Sequence, residues 1–155
     1  QAVDPRPLHA IEATDLQPFR AGFAAGADAV MMAHVLYPNV APEPAGYSSH
    51  WINAVLKSQF GFKGVVFSDD IGMAAAQSAG GVSARIRLHL AAGCDVVLAC
   101  PPACVADAVD SMPVANYPRE RLLALHARSA PAWDTLALNP YFASSVRALE
   151  NDRMA

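Results

Sequence analysis

Two adjacent carboxylates, Asp69 and Asp70, close the stretch Gly64-Val65-Val66-Phe67-Ser68-Asp69-Asp70. Val65, Val66 and Phe67 form a run too short for a helix and rich in β-branched valine, so the stretch reads as a strand buried on both faces. In a parallel sheet or barrel the carboxyl ends of the strands converge on the ligand site, which places both acids where chemistry is usually done. Neighbouring side chains on an extended backbone point to opposite faces. One acid can therefore face the site while the other caps the next helix or braces the turn. His34 ends a second apolar run, Asp28-Ala29-Val30-Met31-Met32-Ala33, at the equivalent place.

Composition limits the remaining possibilities. The 155 residues are 54% hydrophobic, enough for the core of one domain. Eleven Lys and Arg against fourteen Asp and Glu give a net charge of −3 with no basic run, which argues against a nucleic-acid partner. No apolar run approaches the roughly 18 residues that would span a bilayer, and the opening Gln1-Ala2-Val3-Asp4-Pro5-Arg6-Pro7 has no basic region followed by an apolar one. The expectation is a soluble cytoplasmic protein with no membrane partner. Cys94, Cys100 and Cys104 are an odd set, so a disulfide framework is not expected. Cys100-x-x-x-Cys104 lacks the second half of a zinc ligand set, so no metal is expected either.

Several elements must position the acids. After the proline-rich entry, Ile11, Leu16, Phe19 and Phe23 predict one amphipathic helix over about 9–25, with Pro18 inside it and Gly26 as its stop. The strand at 28–33 follows, then a loop with Pro38, Pro42 and Pro44. A helix capped by Ser48 or Ser49 and carrying Trp51, Val55, Leu56 and Phe60 is predicted next, ended by Gly61. Beyond the central strand, the small-residue segment 72–81 leaves room above the strand ends, and its glycines permit movement. A helix over 82–92 with Gly93 as its stop leads to the strand 95–100. Helices over about 103–111 and 119–128 and a packed C-terminal extension, with a last helix over 140–149, complete the chain.

This order is repeated βα structure with continuously apolar strands, which implies a parallel sheet covered by helices. Ala24-Ala25-Gly26-Ala27-Asp28-Ala29-Val30 and Ala91-Ala92-Gly93-Cys94-Asp95-Val96-Val97 also repeat one local pattern, as in a TIM-type (β/α)8 barrel. Three strands cannot close a barrel that needs eight. Either the sheet is open or the chain is a portion of something larger.

Met32-Ala33-His34-Val35-Leu36-Tyr37, then the segment from Gly61 through Phe67-Ser68-Asp69-Asp70-Ile71-Gly72-Met73, then Ala92-Gly93-Cys94-Asp95-Val96-Val97-Leu98 resemble family 3 glycoside hydrolases. The likeness is to the bacterial β-N-acetylglucosaminidases of peptidoglycan recycling, and it runs from Asp4-Pro5-Arg6-Pro7 to about Trp133. It implies the C-terminal portion of a TIM-type (β/α)8 barrel: an α/β chain of about three parallel strands alternating with helices, plus a helical extension over 130–155. It implies a retaining hydrolase that removes terminal N-acetylglucosamine from cell-wall fragments, with Asp69 as nucleophile and no cofactor. A retaining glycosidase needs a carboxylate that bonds the anomeric carbon and a second group that protonates the leaving oxygen. The resemblance puts that second group, a His assisted by an Asp, just ahead of Asp4-Pro5-Arg6-Pro7. The partners implied are a sugar or muropeptide substrate and the N-terminal half of the same barrel.

Asp70 is then expected to brace or cap, and the Ser68 hydroxyl or backbone amides to hold Asp69 ionised. His34 has two readings: hydrogen-bonded to the loop that follows it, or lining the sugar pocket and orienting Asp69. His9, His50, His89 and His126 read as solvated or packing residues, and Met31, Met32 and Met73 as packing. Two other functions are compatible with the elements: a lyase or aldolase using Asp69 or Lys63, and a half-barrel binding module without activity. Lys63 stands ahead of its strand, at the end away from the acids.

Overall fold

The computed structural model describes residues 2–112, 119–126 and 132–153. It divides into a unit over Gln1–Leu125 and a second over His126–Ala155. The first contains helices α1 (Leu8–Ala13) and α2 (Gln17–Ala24), strand β1 (Ala29–Met31) and a wide helix over His50–Gln59. Strand β2 (Val65–Asp70), helix α3 (Val82–Ala92), strand β3 (Val96–Leu98) and helices α4 (Pro102–Ser111) and α5 (Arg119–Ala124) follow. The three strands form one parallel sheet in the order β1-β2-β3. This is the expected α/β arrangement of parallel strands alternating with helices.

Helices pack on one face of the sheet. Val66 lies among Ile52 and Leu56 of the wide helix and Ala92 of α3, with Phe23 and Val30 against them. Val97 and Ala99 pack on Ile71, Ile86 and Ala108. Because side chains alternate along a strand, Ala29, Met31, Ala33 and Phe67 belong to the other face. Val65, paired with Ala29, falls on this face too and is buried, whereas Ala29 and Ala33 are exposed, Met31 is 53% exposed and Phe67 half-buried.

The single helix expected over 9–25 is two helices. Pro18 lies in the first turn of α2, where its missing N–H costs nothing, and the chain breaks at Thr14-Asp15-Leu16. Arg6 holds that break, reaching Asp4 at 2.6 Å and Asp15 at 2.7 Å. The entry stays extended beside the loop after β1, with Asp4 donating its N–H to the Leu36 carbonyl and Leu36 donating to that of Ala2. The helix over 50–59 lies where the sequence predicts it, but the Phe60 N–H reaches back five residues to Val55. Trp51 with Val55 and Ile52 with Leu56 share a face in a helix of either width, so the spacing does not choose between them.

Val82–Ala92 matches its expected bounds. It stops at Gly93 in the left-handed region, φ +115°. The wide helix closes that stop: Asn53 donates to the Ala92 carbonyl at 3.2 Å and Lys57 to the Gly93 carbonyl at 2.8 Å. A cation at a helix C-terminus also suits the helix dipole.

The second unit has a short helical turn over Trp133–Leu138 and helix α6 (Pro140–Arg153). Trp133 and Tyr141 are more than four-fifths exposed, and none of residues 132–152 is buried. The predicted helix over 119–128 is observed to Ala124, and residues 127–128 lie outside the described ones.

Replacing Gly93 with alanine forces a β-carbon into the left-handed region and to 2.9 Å from Asn53 Oδ1. Gly93→Ala is expected to lower stability by about 1–2 kcal/mol. Chemical denaturation of the variant beside the parent measures it.

Candidate active site

The carboxyl end of β2 is built around a break in strand pairing. Phe67 pairs with Val96 and Asp70 with Leu98, so three steps along β2 face two along β3. A bulge of this kind leaves backbone donors that the ladder no longer serves and re-aims side chains at the strand end. Side chains of β2 take those donors. Ser68, fully buried, accepts the Leu98 N–H on Oγ at 2.9 Å and donates its hydroxyl to the Asp69 carbonyl at 2.7 Å. One residue beyond the bulge, Asp70 Oδ1 accepts the N–H groups of Cys100 and Gly72, each at 2.9 Å. Burial opposes ionisation of Asp70, yet those two amides hold its carboxyl below the usual carboxylate value.

Asp69 lies between these two anchors. Its Oδ1 accepts the Asp70 N–H at 2.8 Å, and Oδ2 has no hydrogen-bond partner among the described residues. Of the two expected holders, the backbone amide is present. The Ser68 hydroxyl is turned to the Asp69 carbonyl because the bulge needs its oxygen at Leu98. Asp69 lies within the bulged stretch between Phe67 and Asp70 and is half-buried.

His34 is 3% exposed, and its Nε2 lies 3.2 Å from the Asp70 carbonyl, to which it can only donate. That partner is the strand end itself, not the loop that follows His34. His89 is fully buried, with Nδ1 at 2.8 Å from the Gly46 carbonyl. Burial pushes its imidazole down to about 4, so it is neutral at neutral pH. Tyr47 packs against both rings and donates its hydroxyl to the Ala76 carbonyl at 3.2 Å. His9, His50 and His126 are exposed.

Other residues named from the sequence are elsewhere. Lys63 is exposed at the opposite end of β2, in a cleft with Asp28 and Arg121. Arg121 is engaged there by Asp95 at 2.6 Å. A mostly apolar cleft of about 180 Å³ lies between α1, α2, β1 and the wide helix, lined by Phe23, Tyr37 and Trp51 among others. Asp69 lines neither cleft. Cys94 is buried and its thiol pushed up to about 12, which keeps it protonated; Cys100 is exposed beside Asp70. Met31 and Met73 are exposed rather than packed.

Asp70→Ala strips the acceptor from two amides and is expected to cost about 2 kcal/mol at neutral pH. Since the folded-state value of Asp70 is depressed, the stability it contributes is present above the ordinary carboxylate value and is lost as the pH falls through the folded one. The gap between parent and variant should narrow in acid, which denaturation at pH 7 and pH 3 would measure.

Comparison with known proteins gives this geometry a family. Residues 1–120 match the profile of the glycosyl hydrolase family 3 N-terminal domain. The chain is 59% identical over 135 residues to a β-hexosaminidase of Xanthomonas oryzae pv. oryzae and 58% identical to one of Stenotrophomonas maltophilia. Each alignment covers 87% of this chain and 40% of the relative, so the chain spans about two-fifths of the length of the curated relatives it matches. In structure it resembles NagZ from Neisseria gonorrhoeae, solved in complex with N-trifluoroacetyl-D-glucosamine. The TM-score is 0.75 at 35% identity, over 92% of this chain and 41% of that one. A family 3 β-N-acetylglucosaminidase from a Paenibacillus strain aligns with a TM-score of 0.70 at 29% identity, over 84% of this chain and 29% of that one. With a strand end of this build inside a family match over residues 1–120, the chain belongs to glycosyl hydrolase family 3.

Proposed function

We propose that this chain is the C-terminal half of a (β/α)8 barrel in a retaining glycoside hydrolase. The enzyme removes terminal β-N-acetylglucosamine from peptidoglycan fragments, and the chain is active only together with the N-terminal half. The observation that carries the reading is Asp69: a carboxylate at the carboxyl end of the central strand, with one oxygen braced and the other unpartnered. Two further observations support it. Among the described residues the helices cluster against one face of the sheet, whereas a parallel sheet is normally covered on both. Relatives of the same family are β-hexosaminidases, and one neighbour was solved with an N-acylated glucosamine.

In the proposed reaction the free Asp69 oxygen attacks the anomeric carbon and forms an ester. The glycosidic bond breaks, and its oxygen leaves with a proton from the acid supplied by the other half. Water, deprotonated by the same group, then attacks the anomeric carbon and releases the sugar and the Asp69 carboxylate. Asp70 braces the turn. His34, with its ring buried and donating to the strand end, acts on the orientation of Asp69 and not by contact with the sugar. The site is proposed to work in the cytoplasm on muropeptides. Among the described residues no helix is long and apolar enough to cross a membrane.

In the complete protein, Asp69→Asn is expected to reduce turnover of a chromogenic N-acetylglucosaminide on the order of 10³-fold or more, with the melting temperature unchanged. Undiminished turnover in that variant would remove the reading. Lys63→Met should leave turnover intact, whereas a lyase or aldolase working through Lys63 would lose it.

A second consequence concerns the chain alone. Among the described residues β1 and β3 are edge strands beside an uncovered face. The isolated 155-residue chain is expected to dimerise or aggregate in light scattering. A well-behaved monomer would count against the half-barrel.

A further inference from the structure

Beside the reactive strand end lies a cluster of three rings, of which the proposed chemistry assigns a task to one, His34. His89 projects from α3 with no solvent exposure. As a neutral imidazole it carries one N–H, and its contact with the Gly46 carbonyl places that proton on Nδ1, since a carbonyl only accepts. The approach requires that residue 46 have no side chain, because a β-carbon on Gly46 would lie 2.8 Å from His89 Cε1. The His89 ring centroid is 4.4 Å from that of Tyr47 and 5.3 Å from that of His34, and the last two are 5.7 Å apart. The rings thus close a triangle.

Each ring holds a different backbone carbonyl. His89 holds that of Gly46 in the loop after β1, Tyr47 that of Ala76 in the turn after β2, and His34 that of Asp70 at the end of β2. Three segments that reach the rim from separate parts of the chain are joined through one cluster.

We propose that His89 is a positioning residue for the reaction described above: by anchoring Gly46 and seating Tyr47 and His34, it fixes the strand end that presents Asp69. The inference rests on Asp69 being the nucleophile. Packing alone does not call for an imidazole at this position. His34 Nδ1 and His89 Nε2 are both buried without a hydrogen-bond partner among the described residues. A leucine at 89 would remove the unpartnered Nε2 but leave the buried Gly46 carbonyl without its imidazole donor. A polar cluster kept under that penalty, with every N–H and O–H it carries aimed at the backbone of the rim, fixes geometry more than it adds stability.

The test uses the complete protein and two variants. His89→Leu keeps bulk and loses the donor, whereas His89→Asn places an N–H near the position of Nδ1. With a chromogenic N-acetylglucosaminide, His89→Leu is expected to lose about tenfold in kcat with KM within about twofold, and His89→Asn to recover to within about threefold of the parent. An unchanged kcat in His89→Leu, or an equal loss in both folded variants, overturns the proposal. If His89→Leu fails to fold, the imidazole ¹⁵N spectrum of the parent decides the matter. An Nδ1–H tautomer at His89 with an Nε2–H tautomer at His34 supports the anchoring, and the opposite tautomer at either ring overturns it. Asp69→Asn separates the two levels. Full turnover there removes the nucleophile and this inference together, while its loss beside a normal His89→Leu removes the inference alone.

Discussion

The slip in pairing between β2 and β3 is the constraint on which the rim depends. A buried backbone N–H left without an acceptor costs as much as a lost hydrogen bond, and the slip creates such a donor at Leu98. A hydroxyl at 68 meets it from within the strand, and a carboxylate at 70 meets the next donor, at Cys100, together with that of Gly72. Both acceptors are short side chains. A longer one would overshoot the 2.9 Å contacts, and an apolar one would leave the amides bare.

Asp69 is defined by what its neighbours absorb. Of three consecutive polar residues, the outer two are committed to the partner strand and the turn, and the middle one is spared those duties. Its single bond is local, to the next amide, which steadies the carboxylate without tying it to another element. A nucleophile needs both properties. It must be held closely enough to keep its direction, yet keep a lone pair free for carbon. On the proposed reading, two adjacent acids at a strand end therefore carry different loads, one structural and one available to a substrate.

Much of this was legible in the sequence wherever the cause is local. The apolar run from Val65 to Phe67, the bounds of α3 and its stop at Gly93 follow from β-branching, helical spacing and the left-handed freedom of glycine. Pro18 was legible as a disturbance, but only the structure assigns it to the start of a second helix, because Arg6 and Asp15 close the break. The pairing slip was hidden, since register is a relation between segments about 30 residues apart. His89 was hidden for the same reason. Read on its helix it is one more histidine, set between Leu88 and Leu90, and its partner Gly46 is 43 positions away in a proline-rich loop. Gly46 gave no signal of its own, as its lack of a side chain matters only to a ring that arrives from elsewhere.

The uncovered sheet face links stability to function. Met31 and Phe67 lie on it low in the sheet, and on the proposed reading Asp69, re-aimed by the bulge, opens toward the same side at the top. Met31 and Phe67 are apolar and gain from being buried, while Asp69 must remain within reach of a substrate. A flat covering layer would satisfy one of these demands and defeat the other. A sheet that curves closed satisfies both, because inward side chains fill its lower layers while the carboxyl ends of the strands stay open as a mouth. The same curvature would bring residues of the remaining strands across from Asp69, at the separation a two-step displacement requires of its nucleophile and its acid. On the proposed half-barrel reading the exposed face is the unfinished half of the site, and whatever completes the core also completes the chemistry.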